Sequence, residues 1–226
     1  MEEKELLEQI AEKEWKMFQV VNGSDHVSCQ EDEGTFKAMR RAQFSAWSPE
    51  AAESYLRDLE AAEAQGRNLL REKYIRMMAS TQPEGYAVFC GELPQLTPEQ
   101  EALTAELWKH FLAQTERMRE KYPALALGGR PLLASEETDG WASIETYQTG
   151  ELKTYSEATL RALLAHMVAL EEQGVDLAFQ IQKNSITCMG YQSMEQAEQA
   201  IALQLLQQFG AGTCGSCGCY GDLSGC

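Results

Sequence analysis

Four of the seven cysteines of this 226-residue chain fall in its last sixteen residues, "AGTCGSCGCYGDLSGC". Their spacing is Cys214-x2-Cys217-x-Cys219-x6-Cys226. Zinc takes four thiolates in a tetrahedron, and iron–sulfur clusters also take four cysteines. The Gly-Ser between Cys214 and Cys217 suits the turn that brings neighbouring sulfurs together, and the surrounding glycines permit close backbone approach. The predicted metal ligands are therefore Cys214, Cys217, Cys219 and Cys226, holding zinc or an iron–sulfur cluster. Two other readings stand beside this one. The Cys, Ser, Thr and Gly of the tail could be a substrate for modification, or its thiols could be incidental.

A second set lies near the N-terminus: Glu14, His26, Cys29, Arg40 and Gln43. A thiol beside an imidazole can act as a nucleophile when the ring lowers its pKa, and His26 with Cys29 could instead complete a metal site. These five are the candidate catalytic residues. The plainer alternative makes Cys29 a small buried residue and Arg40 the counter-charge of Glu14.

The elements around this set read as helices. In residues 3–21 the apolar side chains Leu7, Ile10, Ala11, Met17, Phe18 and Val21 recur at helical spacing. Glu14 falls on the same face, where a carboxylate needs a partner, a proton or an edge position that reaches water. The loop after Asn22-Gly23 holds His26 and Cys29. The next helix, "TFKAMRRAQFSAW", sets Phe36, Met39, Gln43 and Trp47 on one side with Arg40 close by.

Further helices start at recognisable caps. Ser48-Pro49, Thr97-Pro98 with Gln100, Ser156, and Ser193 with Gln196 are N-terminal signals, while Gly66, Gly174 and Gly210 are C-terminal ones. A loop is predicted around "YAVFCGEL", and Pro123 is predicted to stop the helix that Thr97 caps. The stretch 141–155 admits either a short helix or a β-hairpin turning at Thr149-Gly150. His110 and His166 read as residues at the edge of the core. The prediction is all-α, with about seven to nine helices in bundle-like or orthogonal packing and at most one short hairpin. It places one helical domain over 1–210, a sub-boundary near 124–140, and the tail over 211–226.

Charge restricts the partners. The net charge of −16 repels phosphate backbones and anionic membrane surfaces, so neither nucleic acid nor membrane is expected. No stretch approaches the roughly 18 apolar residues of a membrane span, and the acidic start "MEEKELLEQ" is not that of a signal peptide. These features predict a cytoplasmic protein, in whose reducing surroundings tail thiols are metal ligands, redox groups or modification sites.

Four longer segments carry a resemblance: "EKEWKMFQVVN", "SCQEDEGTFKAMRRAQFSAW", "ESYLRDLEAAEAQGRNLLREKYIRMM" and "IETYQTGELKTYSEATL". Together they resemble the bacterial family called domain of unknown function 4125, from about residue 10 to about 200. The resemblance implies a bacterial cytoplasmic protein and directs attention to residues 22–47. It assigns no activity, and it does not extend to the tail.

Three function classes remain open at this point. The first is a metal- or cluster-binding protein using the tail. The second is an enzyme or small-molecule-binding protein using the region from Glu14 to Gln43. The third is a helical interaction module, with a protein partner, whose tail is modified.

Overall fold

The computed structural model describes residues 2–21, 31–138 and 141–210. Among them the architecture is all-α, with eleven α-helices and no strand. In chain order these are α1 (Glu3–Gln19), α2 (Glu33–Phe44), α3 (Pro49–Ala64), α4 (Leu69–Thr81), α5 (Pro83–Phe89) and α6 (Pro98–Lys121). The series continues with α7 (Pro123–Leu127), α8 (Ile144–Leu152), α9 (Glu157–Glu172), α10 (Leu177–Cys188) and α11 (Met194–Gly210).

Local chemistry sets most of the boundaries. The Ser48 hydroxyl accepts from the Ala51 N–H and Pro49 opens α3. Thr97 and Gln100 cap each other reciprocally at the start of α6. Ser143 and Ser156 cap α8 and α9. Gly66 and Gly174 follow α3 and α9 with φ of 68° and 72°, a left-handed backbone that costs glycine nothing.

Eleven helices exceed the expected count for a simple reason. Pro123 is predicted to be a stop and the stretch around "YAVFCGEL" a loop, yet Pro123 opens α7 and Pro83 opens α5, which makes the first half of that stretch helical. Proline has no N–H to lose in a first turn, so the residue that ends one helix can begin the next.

The hairpin alternative at 141–155 is not realised, because Ile144–Leu152 is helical. Gly150 sits inside this helix where it nearly touches α4. A Cβ there would lie 3.0 Å from Met77 Cγ and 3.4 Å from the Lys73 carbonyl oxygen. Glycine at this position marks a close helix crossing rather than a turn.

The main core draws on eight of the helices through residues such as Ile10, Phe18, Phe44, Leu59, Leu107, Leu152, Leu163 and Leu177. Trp47, Tyr55 and Tyr155 meet within it, ring centroids 4.8–6.0 Å apart. A smaller cluster of Tyr122, Ile186, Met194 and Ala197 joins the ends of α6, α10 and α11. In α1 it is Leu6 that is fully buried, with Leu7 half-buried beside it.

Candidate functional site

Glu14 lies one helical turn after Ile10 and one before Met17 and Phe18, so the packing of α1 carries its carboxylate into the core. Arg40 on α2, Lys73 on α4 and Glu151 on α8 are brought to the same place. The four residues retain 0% (Glu14), 8% (Arg40), 5% (Lys73) and 3% (Glu151) of their exposure. Isolated charges at such depth would cost several kcal/mol each, so their contacts decide whether the arrangement can exist.

Arg40 grips Glu14 side-on. Its Nε donates to Glu14 Oε2 and its Nη2 to Oε1, both at 2.6 Å. Nη2 also donates to Glu151 Oε1 at 3.0 Å. Nη1 reaches Gln43 Oε1 at 2.9 Å and Glu151 Oε2 at 3.4 Å. A guanidinium has five N–H groups, and all five of Arg40 are committed. Phe44 lies under its plane, 4.9 Å from the ring centroid.

Glu151 is equally occupied. Besides Arg40 it accepts from Gln43 Nε2 at 2.8 Å, Lys73 Nζ at 2.6 Å and the Tyr155 hydroxyl at 2.7 Å. Glu14 receives the Tyr55 hydroxyl at 2.7 Å. Lys73 also stands 3.3 Å from the centroid of Tyr147, and the Arg130 guanidinium lies 5.2 Å from that same ring.

This setting fixes protonation states. Burial alone would push the Glu151 carboxyl up, but the charges and hydrogen bonds of Arg40 and Lys73 hold it well below the usual carboxylate range. Burial and the neighbouring carboxylates push the Tyr55 and Tyr155 hydroxyls well above the ordinary phenol value, so both remain neutral donors. Burial would lower Arg40, yet Glu14 and Glu151 hold it firmly protonated.

The network forms one wall of a cavity of about 240 Å³. Its other walls are mostly apolar or aromatic, among them Phe36, Met39, Leu69, Leu70, Tyr74 and Ile181. At roughly 30 Å³ per water, the space corresponds to about eight waters, the size of a small metabolite.

Three of the five sequence candidates, Glu14, Arg40 and Gln43, thus meet in one network. His26 and Cys29 lie outside the described residues, as do Cys214, Cys217, Cys219 and Cys226. Among the described residues no group of three or more His, Cys, Asp or Glu side chains is placed to hold a metal ion. His110 and His166 sit apart from the cavity, facing Glu171 and the Ala46 carbonyl.

Sequence reasoning missed Lys73, Glu151, Tyr55, Tyr155, Tyr147 and Arg130 as members of the site. The signal for Lys73 was present: it lies three and four residues from Leu70, Leu69 and Met77, the buried positions of α4. A charge on an apolar face is the same anomaly that marked Glu14. Glu151 had no such signal, because α8 is too short and too mixed in polarity to show a face.

A family model described as "Protein of unknown function (DUF4125)" matches residues 4–199. The chain belongs to this family. The DUF4125 match contains every described member of the buried network and ends before the cysteine-rich tail. No curated protein and no solved structure matches the chain. Among the described residues, no helix is long and apolar enough to cross a membrane.

Proposed function

We propose that this protein binds a small molecule in the cavity between α1, α2, α4, α8 and α10. The observation that carries the reading is the pairing of that cavity with a buried, fully committed ion network. Buried ion pairs rarely improve stability over an apolar core of the same shape, and breaches of good packing concentrate where a chain performs its function. Here two acids and two bases are buried beside open space instead of being replaced by leucines.

The protonation states favour binding over proton transfer. Glu151 is held ionised and Tyr55 and Tyr155 are held neutral, so none of the three is poised to exchange a proton near neutral pH. What the network supplies is a rigid polar surface whose donors keep fixed positions.

The test uses Ile181→Trp, which fills the cavity from α10. A mixture of small metabolites is screened against wild type and variant by ligand-detected NMR, with circular dichroism confirming that both fold. Saturable binding to wild type that is lost in the variant supports the reading. If no compound binds, or if binding persists in the filled variant, the reading is wrong.

The tail supports a second, separate proposal from its cysteine spacing: Cys214, Cys217, Cys219 and Cys226 bind zinc or an iron–sulfur cluster. Metal and sulfide are measured on anaerobically purified full chain and on a chain ending at Gly210. Metal lost with the tail supports the proposal, and equal or absent metal in both samples overturns it.

A further inference from the structure

Helix α11 carries two apolar stripes, and the fold uses one of them. Met194, Ala197, Ile201 and Leu205 follow one another at steps of three and four residues, the spacing of a single helix face. Met194 and Ala197 are buried, and Ile201 and Leu205 are half-buried. This face meets α7. The Glu198 carboxylate accepts the N–H groups of Ala124 and Leu125, both at 2.8 Å, and a Cβ on Gly128 would lie 3.1 Å from Ile201 Cγ2.

Leu203 and Leu206 lie three residues apart on the other side of α11, 61% and 69% exposed. Leu127, next to Gly128 in the segment that meets Ile201, is 76% exposed as well. A single exposed leucine is ordinary, but a second stripe on a helix already anchored by its first adds nothing to this chain's own packing.

Charge singles out the same part of the molecule. The chain is 24% charged residues with a net charge of −16, yet no Asp, Glu, Lys or Arg occurs from Gln199 to Gly210. None occurs in "YPALALGG" at 122–129 either. Two abutting segments are thus neutral within a strongly acidic chain.

Symmetry decides what fits there. In a two-fold contact between identical chains, residues near the axis meet their own copies. A carboxylate in that position faces a carboxylate, and two acidic chains repel over the rest of their surfaces. Leucine meets leucine without that penalty. The exposed amides of Gln199, Gln204 and Gln207 each carry donors and an acceptor, so they are complementary to themselves. A basic partner would gain from acidic surface and would find none on this stripe. The sixteen residues after Gly210 contain one leucine and one tyrosine among glycines, cysteines and serines, little apolar side chain to lay over it.

We propose that the exposed stripe of α11, centred on Leu203 and Leu206, is the contact through which two copies of this chain form a two-fold dimer. The contact needs neither the cavity nor the tail. Because mutual repulsion surrounds an uncharged centre, the dimer is weak and salt strengthens it.

Sedimentation velocity of the full chain tests this, with a reductant and a chelator present so that neither disulfides nor bound metal joins chains. Concentration is raised from roughly 2 µM to roughly 200 µM, which drives any association by mass action. The weight-average mass is expected to climb from 25.3 kDa toward twice that value. The climb should be steeper at about 0.5 M salt than at about 0.05 M. The double variant Leu203→Glu, Leu206→Glu, checked for native circular dichroism, puts carboxylates on the stripe of both copies and is expected to associate at least about tenfold more weakly. Val88→Glu, at an equally exposed apolar position on α5, is expected to associate as wild type does. A chain that stays monomeric throughout overturns the proposal. So does association that the double variant leaves intact or that Val88→Glu weakens equally. Association that weakens as salt rises would mean that charge pairs join the copies, and overturns it too.

Discussion

Helices α6 and α9 give the core Leu107, Phe111, Leu160, Leu163 and Met167, and keep their charges at the rim. Arg161 pairs with Glu99 and Glu157 in water, and His110 meets Glu171 in a half-exposed contact. The junction of α1, α2, α4 and α8 does the reverse, burying Glu14, Arg40, Lys73 and Glu151 behind aromatic rings and next to a cavity. One chain thus builds one region by the ordinary economy of apolar burial and another against it. The difference locates the part of the molecule whose composition stability alone does not explain.

The sharpest break of that comparison is Arg40→Met set against Arg161→Met. Removing Arg40 leaves two carboxylates buried with one remaining cation, and is expected to cost about 3–5 kcal/mol in urea unfolding. Arg161 is exposed, and its loss is expected to leave the urea midpoint unchanged within error. Equal effects would mean that the two regions do not differ in kind.

Leu163→Ala probes the apolar region in its own terms. Leu163 is fully buried, so truncation is expected to cost about 2–4 kcal/mol through lost burial and a residual cavity. It should do so without altering ligand binding at the α1/α2/α4/α8 cavity. A loss of binding equal to that of the Ile181→Trp variant would show that the two regions are mechanically one.

Glu151→Gln separates charge from shape, and pH gives its signature. The Glu151 carboxyl is held well below 4.5 in the folded chain by Arg40 and Lys73, against the effect of burial. The stabilisation this represents is fully present above 4.5. It is lost as pH falls through the folded value, because the unfolded chain binds the proton first. The variant is expected to be less stable than wild type by about 1.5–3 kcal/mol at pH 7, where hydrogen bonds to a charged group are removed. That gap should narrow when unfolding is repeated below pH 4.5. A gap that stays constant with pH would show that Glu151 has the same pKa folded and unfolded, and one that widens as pH falls would show that it is neutral in the fold.

How much of this was legible beforehand follows from which interactions are local. Helices with their own caps and apolar stripes, such as α3, α6 and α9, are written within a dozen residues, and their positions agree with the structure. Glu14 was legible for the same reason: a carboxylate among Ile10, Met17 and Phe18 contradicts its own helix, and Arg40 is the counter-charge it finds. The contributions of Glu151, 111 residues beyond Arg40, and of Tyr155 follow from tertiary packing that no local pattern records. Residues 22–30 and 211–226, which hold six of the sequence candidates, lie outside the described residues.

The smallest expected effect tests what brings the two halves of the buried network together. Lys73 reaches Glu151 at 2.6 Å because α4 and α8 cross closely, and Gly150 is the residue at the crossing. Alanine is the better helix former by about 1 kcal/mol, so Gly150→Ala carries a gain. Its Cβ would stand 3.0 Å from Met77 Cγ, nearer than side chains normally approach, which carries a loss of about 1–3 kcal/mol. The loss should win slightly, giving a net destabilisation of about 1 kcal/mol with a weakened Lys73–Glu151 contact. The obstruction can be assigned by repeating the change in a Met77→Ala background. There the crowding atom is gone and the Lys73 carbonyl oxygen, at 3.4 Å, remains at the edge of ordinary contact. In that background Gly150→Ala is expected to stabilise, so the two changes should couple with opposite sign from their separate effects. Destabilisation in both backgrounds would shift the constraint from a side chain to the α4 backbone, making the glycine a requirement of the helix crossing itself.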